Sequence, residues 1–203
     1  PIVSHLDGVE LGGQERTKLI IKLKDIRSEL IKAMTTPKIG IIIDLDNSSA
    51  EKRINFLNDL CSEAFELNID IEKESEFKLY KIPEYNLDFE LAYCFSGLNG
   101  EGELEHLLKE IADTSESHHA NCLETGWKTC LQTKNIDVKP KELRKLWMDF
   151  YKRLDCLTKT EQKQAKQNVQ WDNFLLLHPE KFDFSKDIKE LNEIKSFLSK
   201  FCL

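Results

Sequence analysis

The run Ile39-Gly40-Ile41-Ile42-Ile43 constrains the fold of this chain more than any other stretch. Branching at Cβ stiffens a side chain, disfavours helix and suits the pleated surface of a sheet. The run is continuous, short and without polar alternation. It therefore reads as a strand buried on both faces, as in a parallel sheet covered by helices. Asp44-Leu45-Asp46-Asn47-Ser48-Ser49 follows at once, so the strand ends in two carboxylates and a polar loop rich in helix-capping residues.

Helical patterns flank this strand. Val9 and Leu11 precede Gly12-Gly13, and then Leu19, Leu23, Ile26, Leu30 and Ile31 recur at steps that mark one apolar helix face. Thr35-Thr36-Pro37 ends that helix, because the residue before a proline is pushed out of the α region. A second helix spans about Ala50 to Phe65, with Ile54, Leu57, Leu60, Cys61 and Ala64 on one face. Phe77–Ile82 and Phe89–Phe95 read as further strands. The order helix, strand, helix, strand is that of an open α/β sheet with crossover connections.

Gly97 to Gly102 reads as a flexible loop, leading into a helix from Glu103 to Ile111. Beyond Asp113 the strands give way to helices at Cys122–Gln132, Lys141–Leu157 and Ile188–Phe201. The expectation is an α/β domain over 1–113 and a helical region over 114–203, packed on it or beside it. At 40% hydrophobic residues the chain has enough apolar surface for a core, and 5 Pro and 8 Gly argue against disorder.

No apolar run reaches the roughly 18–20 residues that cross a bilayer, so no membrane partner is expected. No basic segment followed by an apolar one opens the chain, and the 6 cysteines form no CxxC pair. They read as reduced thiols in a cytoplasmic protein. The net charge of −7 disfavours indiscriminate attraction to nucleic acid, yet Lys139 to Lys166 carries nine basic residues against four acidic ones.

Asp44-x-Asp46 is the sharpest chemical feature. In open α/β sheets ligands sit at the carboxyl ends of strands. Side chains two apart on an extended segment share a face, and where the strand ends both carboxylates can converge on one ion. Hard cations such as Mg²⁺, or Mn²⁺ in its place, take carboxylate oxygens plus water and phosphate. The alternative is that Asp44 caps a turn and Asp46 caps the following helix.

Arg53, seven residues past Asp46, either faces a phosphate near the metal or pairs with a surface acid such as Glu51. Glu103 and Glu105 open a helix, where a third carboxylate is useful and where the helix dipole alone favours acids. His118-His119 with Cys122 invites a zinc reading, but without a second ligand pair an exposed polar turn is preferred.

In the basic stretch, Arg144 and Lys145 are candidate contacts to phosphate or nucleic acid, with a protein interface as the other use. Trp147, Phe150 and Tyr151 either stack on bases or, at helical spacing, pack a core. No phosphate-binding GxxxxGK[ST] loop, GxSxG elbow or HExxH pair occurs.

Taken together, Gly12-Gly13 opening a helix, Ile39-Gly40-Ile41-Ile42-Ile43-Asp44-Leu45-Asp46-Asn47, Arg53 and Gly102-Glu103-Leu104-Glu105-His106-Leu107-Leu108 resemble a family of small bacterial Toprim-like proteins. The resemblance covers roughly Val9 to Ile111 and, more loosely, the helical remainder through Cys122, Lys141 to Tyr151 and Trp171. It implies a compact Toprim-like sheet flanked by helices, as in topoisomerases, primases, recombination proteins and phage-defence nucleases. It also implies Mg²⁺ held by Asp44 and Asp46, with Glu105 aligned to the family's Gly-x-Leu-Glu motif as a third metal-binding and catalytic carboxylate.

The expected activity is metal-dependent phosphoryl transfer, nuclease-like and acting on nucleic acid. The family's first-strand glutamate has no match, since Glu10 does not sit where that residue belongs. Either that strand precedes Pro1 or this member lacks it. In the second case the chain is an inactive module binding a nucleotide, nucleic acid or partner protein.

Overall fold

A computed structural model describes residues 16–33, 37–45, 48–97, 103–115, 117–164, 174–175 and 177–201. The fold is mixed α/β. Its elements run α1 (Arg16–Ala33), β1 (Lys38–Asp44), α2 (Ala50–Phe65), β2 (Lys78–Ile82), β3 (Leu87–Ser96) and α3 (Leu104–Ile111). They continue with α4 (His118–Cys122), α5 (Lys128–Thr133), α6 (Pro140–Phe150), α7 (Lys159–Gln164) and α8 (Lys189–Ser199). Contacts divide the chain into two compact units, Pro1–Glu101 with Lys189–Leu203, and Gly102–Ile188. The sequence reading puts the boundary at Asp113 and leaves α8 with the helical region. The contacts instead return α8 to the sheet.

In the first unit the described strands form a sheet of order β1-β3-β2, with β1 parallel and β2 antiparallel to β3. A 3₁₀ turn at Pro83–Tyr85 and a left-handed Asn86 (φ 49°) connect β2 to β3. Strand alternation sends Phe89, Leu91, Tyr93 and Phe95 of β3 to one face, where they join a core with Leu19 and Leu23 of α1 and Leu57, Leu60 and Phe65 of α2. Ala92 and Cys94 point the other way and pack against Phe197 of α8. The apolar positions expected on α2, Ile54, Leu57, Leu60, Cys61 and Ala64, are all buried.

The strand buried on both faces is β3, not β1. Ile41 of β1 is 4% exposed and Ile42 is 42% exposed, because β1 is the outermost of the described strands and its odd-numbered face is the one that meets α1 and α2. On the other face a Cβ at Gly40 would collide with Phe201 and come within 2.8 Å of the Phe197 ring. The missing side chain is what lets the aromatic end of α8 lie on the sheet. Burial pushes the Cys61 thiol up to about 12 and the Cys94 thiol to about 11, so both rest as inert thiols.

The second unit is helical. Trp147 (0% exposed) and Tyr151 (2%) stack at 5.0 Å, and Tyr151 meets the edge of Phe182. The Tyr151 hydroxyl donates to the carbonyls of Asp113 and Lys181, at 2.8 and 2.9 Å. Two π-helical segments, Leu123–Trp127 and Tyr151–Cys156, continue α4 and α6.

Candidate functional site

Asp44 stands at the carboxyl end of β1, in register with Ser96 at the carboxyl end of the parallel β3. Both strands end together here, so the polar residues that close them are brought side by side. Ser96, 3% exposed, donates its hydroxyl to Asp44 Oδ1. The next backbone N–H, that of Leu45, donates to the Ser96 carbonyl at 3.3 Å, which carries the ladder one residue past β1. A buried hydroxyl on one carboxylate oxygen fixes the orientation of the other, which is how outer-shell donors orient metal-ligating carboxylates.

Arg53 lies in the first turns of α2 and is 7% exposed. Its Nε and Nη2 both reach the Leu45 carbonyl at 3.4 Å, and its guanidinium sits 5.8 Å from the Phe56 ring. The guanidinium braces the backbone where the chain leaves β1, one residue past Asp44.

The cap of α2 is Ser49, whose hydroxyl accepts from the Lys52 N–H at 3.3 Å. The capping role weighed for Asp46 is therefore filled by a serine. Asp46 itself lies outside the described residues, as do Val9 to Gly13, Gly102, Lys166 and Trp171. Among the described residues no group of three or more His, Cys, Asp or Glu side chains is placed to hold a metal ion.

Glu105 belongs to the second unit. It is half-buried, and its charge helps keep the buried Lys152 ammonium protonated against a desolvation that pulls its pKa down. Lys152 also pairs with Asp149 at 3.4 Å. Glu103, at the N-cap position of α3, is the more buried of the two acids, at 6% exposure, and takes Lys141 and Lys145 at 2.5 and 2.9 Å. Lys145, a candidate phosphate contact, is thus already paired with a carboxylate, and Arg144 is half-buried beside it on α6. Trp147 and Tyr151 are core, so neither presents a face to a base.

His119 is 60% exposed, and its Nδ1 meets Asp155 at 2.8 Å. The Asp155 carboxylate, 2% exposed, also accepts the His119 and Ala120 backbone N–H groups at 2.9 Å. These residues cap the start of α4. Ser96 and Asp155 escape sequence reasoning because their roles come from partners 52 and 36 residues away. Only the parallel register of Phe89–Phe95 with Ile39–Ile43 hints that a residue just past the second run meets Asp44. No described helix is long and apolar enough to cross a membrane. Compared with family models, curated proteins and solved structures, the chain matches none.

Proposed function

We propose that this chain is a Toprim-like, Mg²⁺-dependent phosphoryl-transfer protein, nuclease-like and acting on nucleic acid, with Asp44 and Asp46 as the metal-holding pair. The single observation that carries the reading is the Asp44–Ser96 arrangement at the carboxyl ends of two parallel strands. That is where open α/β sheets place their ligands. The buried Arg53 supports it, since it holds the Leu45 carbonyl, one residue past Asp44.

The cation would supply charge neutralisation at the phosphate oxygens and orientation of a water. The chain's own part is to hold the carboxylates. Ser96 holds Asp44 by one oxygen, and Arg53 holds the Leu45 carbonyl, so little reorganisation is left for the moment of binding.

Asp44→Ala with Asp46→Ala should abolish Mg²⁺-dependent cleavage of single- and double-stranded DNA and RNA by the full chain. Cleavage retained by the double variant removes the reading.

One observation favours the second reading, a module of the same fold that binds without turnover. Glu105, the third carboxylate of the proposed set, lies in the field of the buried Lys152 ammonium, whose pKa its charge helps to raise. Metal binding seen by calorimetry in a protein that cleaves none of these substrates would select it.

A further inference from the structure

We propose that α8 is a proton-governed lid on the first unit, shut on the even face of β3 while Glu74 carries a proton and lifting more often once Glu74 is ionised. β3 runs for 10 residues, and β2 pairs with it only from Leu87 to Leu91. Past that point Glu74-Ser75 takes over the ladder. Ser75 N–H donates to the Tyr93 carbonyl at 2.7 Å, and the Glu74 carboxylate accepts the Phe95 N–H at 2.8 Å. Cys94, between these two residues, hydrogen-bonds Glu74 and Ser75 and packs against Phe197 of α8. Lys200, just past α8, donates to the Ser75 carbonyl at 2.6 Å. Glu74 therefore sits at the seam where α8 meets the sheet.

α8 is the element suited to open. It has 11 residues, and isolated helices shorter than about 12–15 residues are marginal in water, so its docking holds it. Leu191 and Phe197 are its buried residues, and Ile194 and Phe201 are partly buried on the same side of the sheet. An element held by so few apolar side chains opens locally, at less cost than global unfolding.

The described groups that face Glu74 are the Phe95 N–H and the Cys94 thiol from β3, and Glu193 and Lys189 from α8. Lys189 lies 3.6 Å from Glu193, so the one cation serves both carboxylates. Lifting α8 opens Glu74 to water and takes Glu193 away. Both changes favour the ionised carboxylate, so the shut form binds the proton more tightly than the open form. Closure has its full advantage below the ordinary 4.5 and loses it as pH rises through the shut-form value. Opening uncovers Cys94 and the phenylalanine rings above it. The lid does not rest on the metal reading, since neither Asp44 nor Asp46 takes part.

The test is hydrogen exchange of the full chain from about pH 5 to about pH 7.5, corrected for the intrinsic rates and followed by mass spectrometry. The expected result is that protection of the α8 amides falls about threefold or more with rising pH, while that of the α2 amides does not follow it. Glu74→Gln, which keeps an acceptor for Phe95 and cannot ionise, should remove the trend. Protection of α8 that is flat in pH, that falls in step with α2, or that keeps its trend in Glu74→Gln overturns the proposal. Should that variant fail to fold, the carboxyl carbon resonance of Glu74 in the parent decides. The loss of α8 protection should level off at the pH where that resonance titrates, and levelling elsewhere overturns the lid.

Discussion

Ser96 donates its hydroxyl to the Asp44 carboxylate across the ends of two parallel strands, joining residues 52 apart in the chain. Ser96→Ala leaves the carboxylate without that donor. Loss of such an orienting contact typically costs about 10–100-fold in metal affinity. Calorimetric titration with Mg²⁺ should show a loss of that order. The stability change should stay near ~1 kcal/mol, the net worth of one hydrogen bond.

Gly40 is the contact point between β1 and the aromatic end of α8. Gly40→Ala places a methyl group against Phe201 and Phe197, and overpacking of this kind costs roughly 1–3 kcal/mol. Phe201 is only partly buried and is the neighbour able to yield. Adding Phe201→Leu should therefore recover part of the loss, read as a coupling energy in urea unfolding of the two single variants and the double.

Glu74 gives a pH dependence with a definite sign. Burial is the largest influence on it and raises its pKa above the ordinary 4.5. Smaller effects come from the Phe95 N–H and Lys189, which lower it, and from Glu193, which raises it. The folded state then holds the proton to higher pH than the unfolded state does. Stability from this group is fully present below 4.5 and is lost as pH rises through the folded value. Glu74→Gln keeps an acceptor for Phe95 and cannot ionise. The stability difference, variant minus parent, should grow in favour of glutamine from about pH 4 to neutrality. A difference flat in pH would contradict this assignment.

Asp155 holds the first turn of α4 by two backbone N–H groups, one from the fully buried Ala120. Asp155→Ala strands those donors and should cost about 2 kcal/mol, within the range for lost caps and unsatisfied buried groups. His119→Ala removes only an exposed ring from the same carboxylate and should cost well under ~1 kcal/mol. Chemical unfolding of both variants reads the difference.

Much of the architecture was legible in residue spacing. Leu57, Leu60, Cys61 and Ala64 announce the buried face of α2, and Trp147 and Tyr151 at four-residue spacing announce a core rather than a stacking platform. Burial of β1 is not legible in its sequence, because isoleucine satisfies an outer strand as well as a central one. Only Gly40, small enough for the rings of Phe197 in α8 and Phe201 just beyond it, marks its second face. At the site, Asp44 could be picked out as the residue that ends an apolar run. Its serine partner, the brace from Arg53 to Leu45 and the pairing of Glu103 with Lys141 and Lys145 exist only once the chain is folded. The division at Gly102, with α8 returned to the sheet, has the same origin. The even face of β3 needs an apolar cover, and Phe197 supplies it.

In the function proposed above, Asp44 helps to hold a hard divalent cation where β1 leaves the sheet. Electron paramagnetic resonance of Mn²⁺ titrated into the full chain tests it most directly, with Asp44→Asn, which keeps an acceptor for Ser96, as the comparison. The expected result is one bound Mn²⁺ per chain, displaced by excess Mg²⁺, with affinity at least tenfold weaker in Asp44→Asn at unchanged thermal stability. Equal Mn²⁺ binding by the parent and Asp44→Asn, or no binding by either, would contradict it.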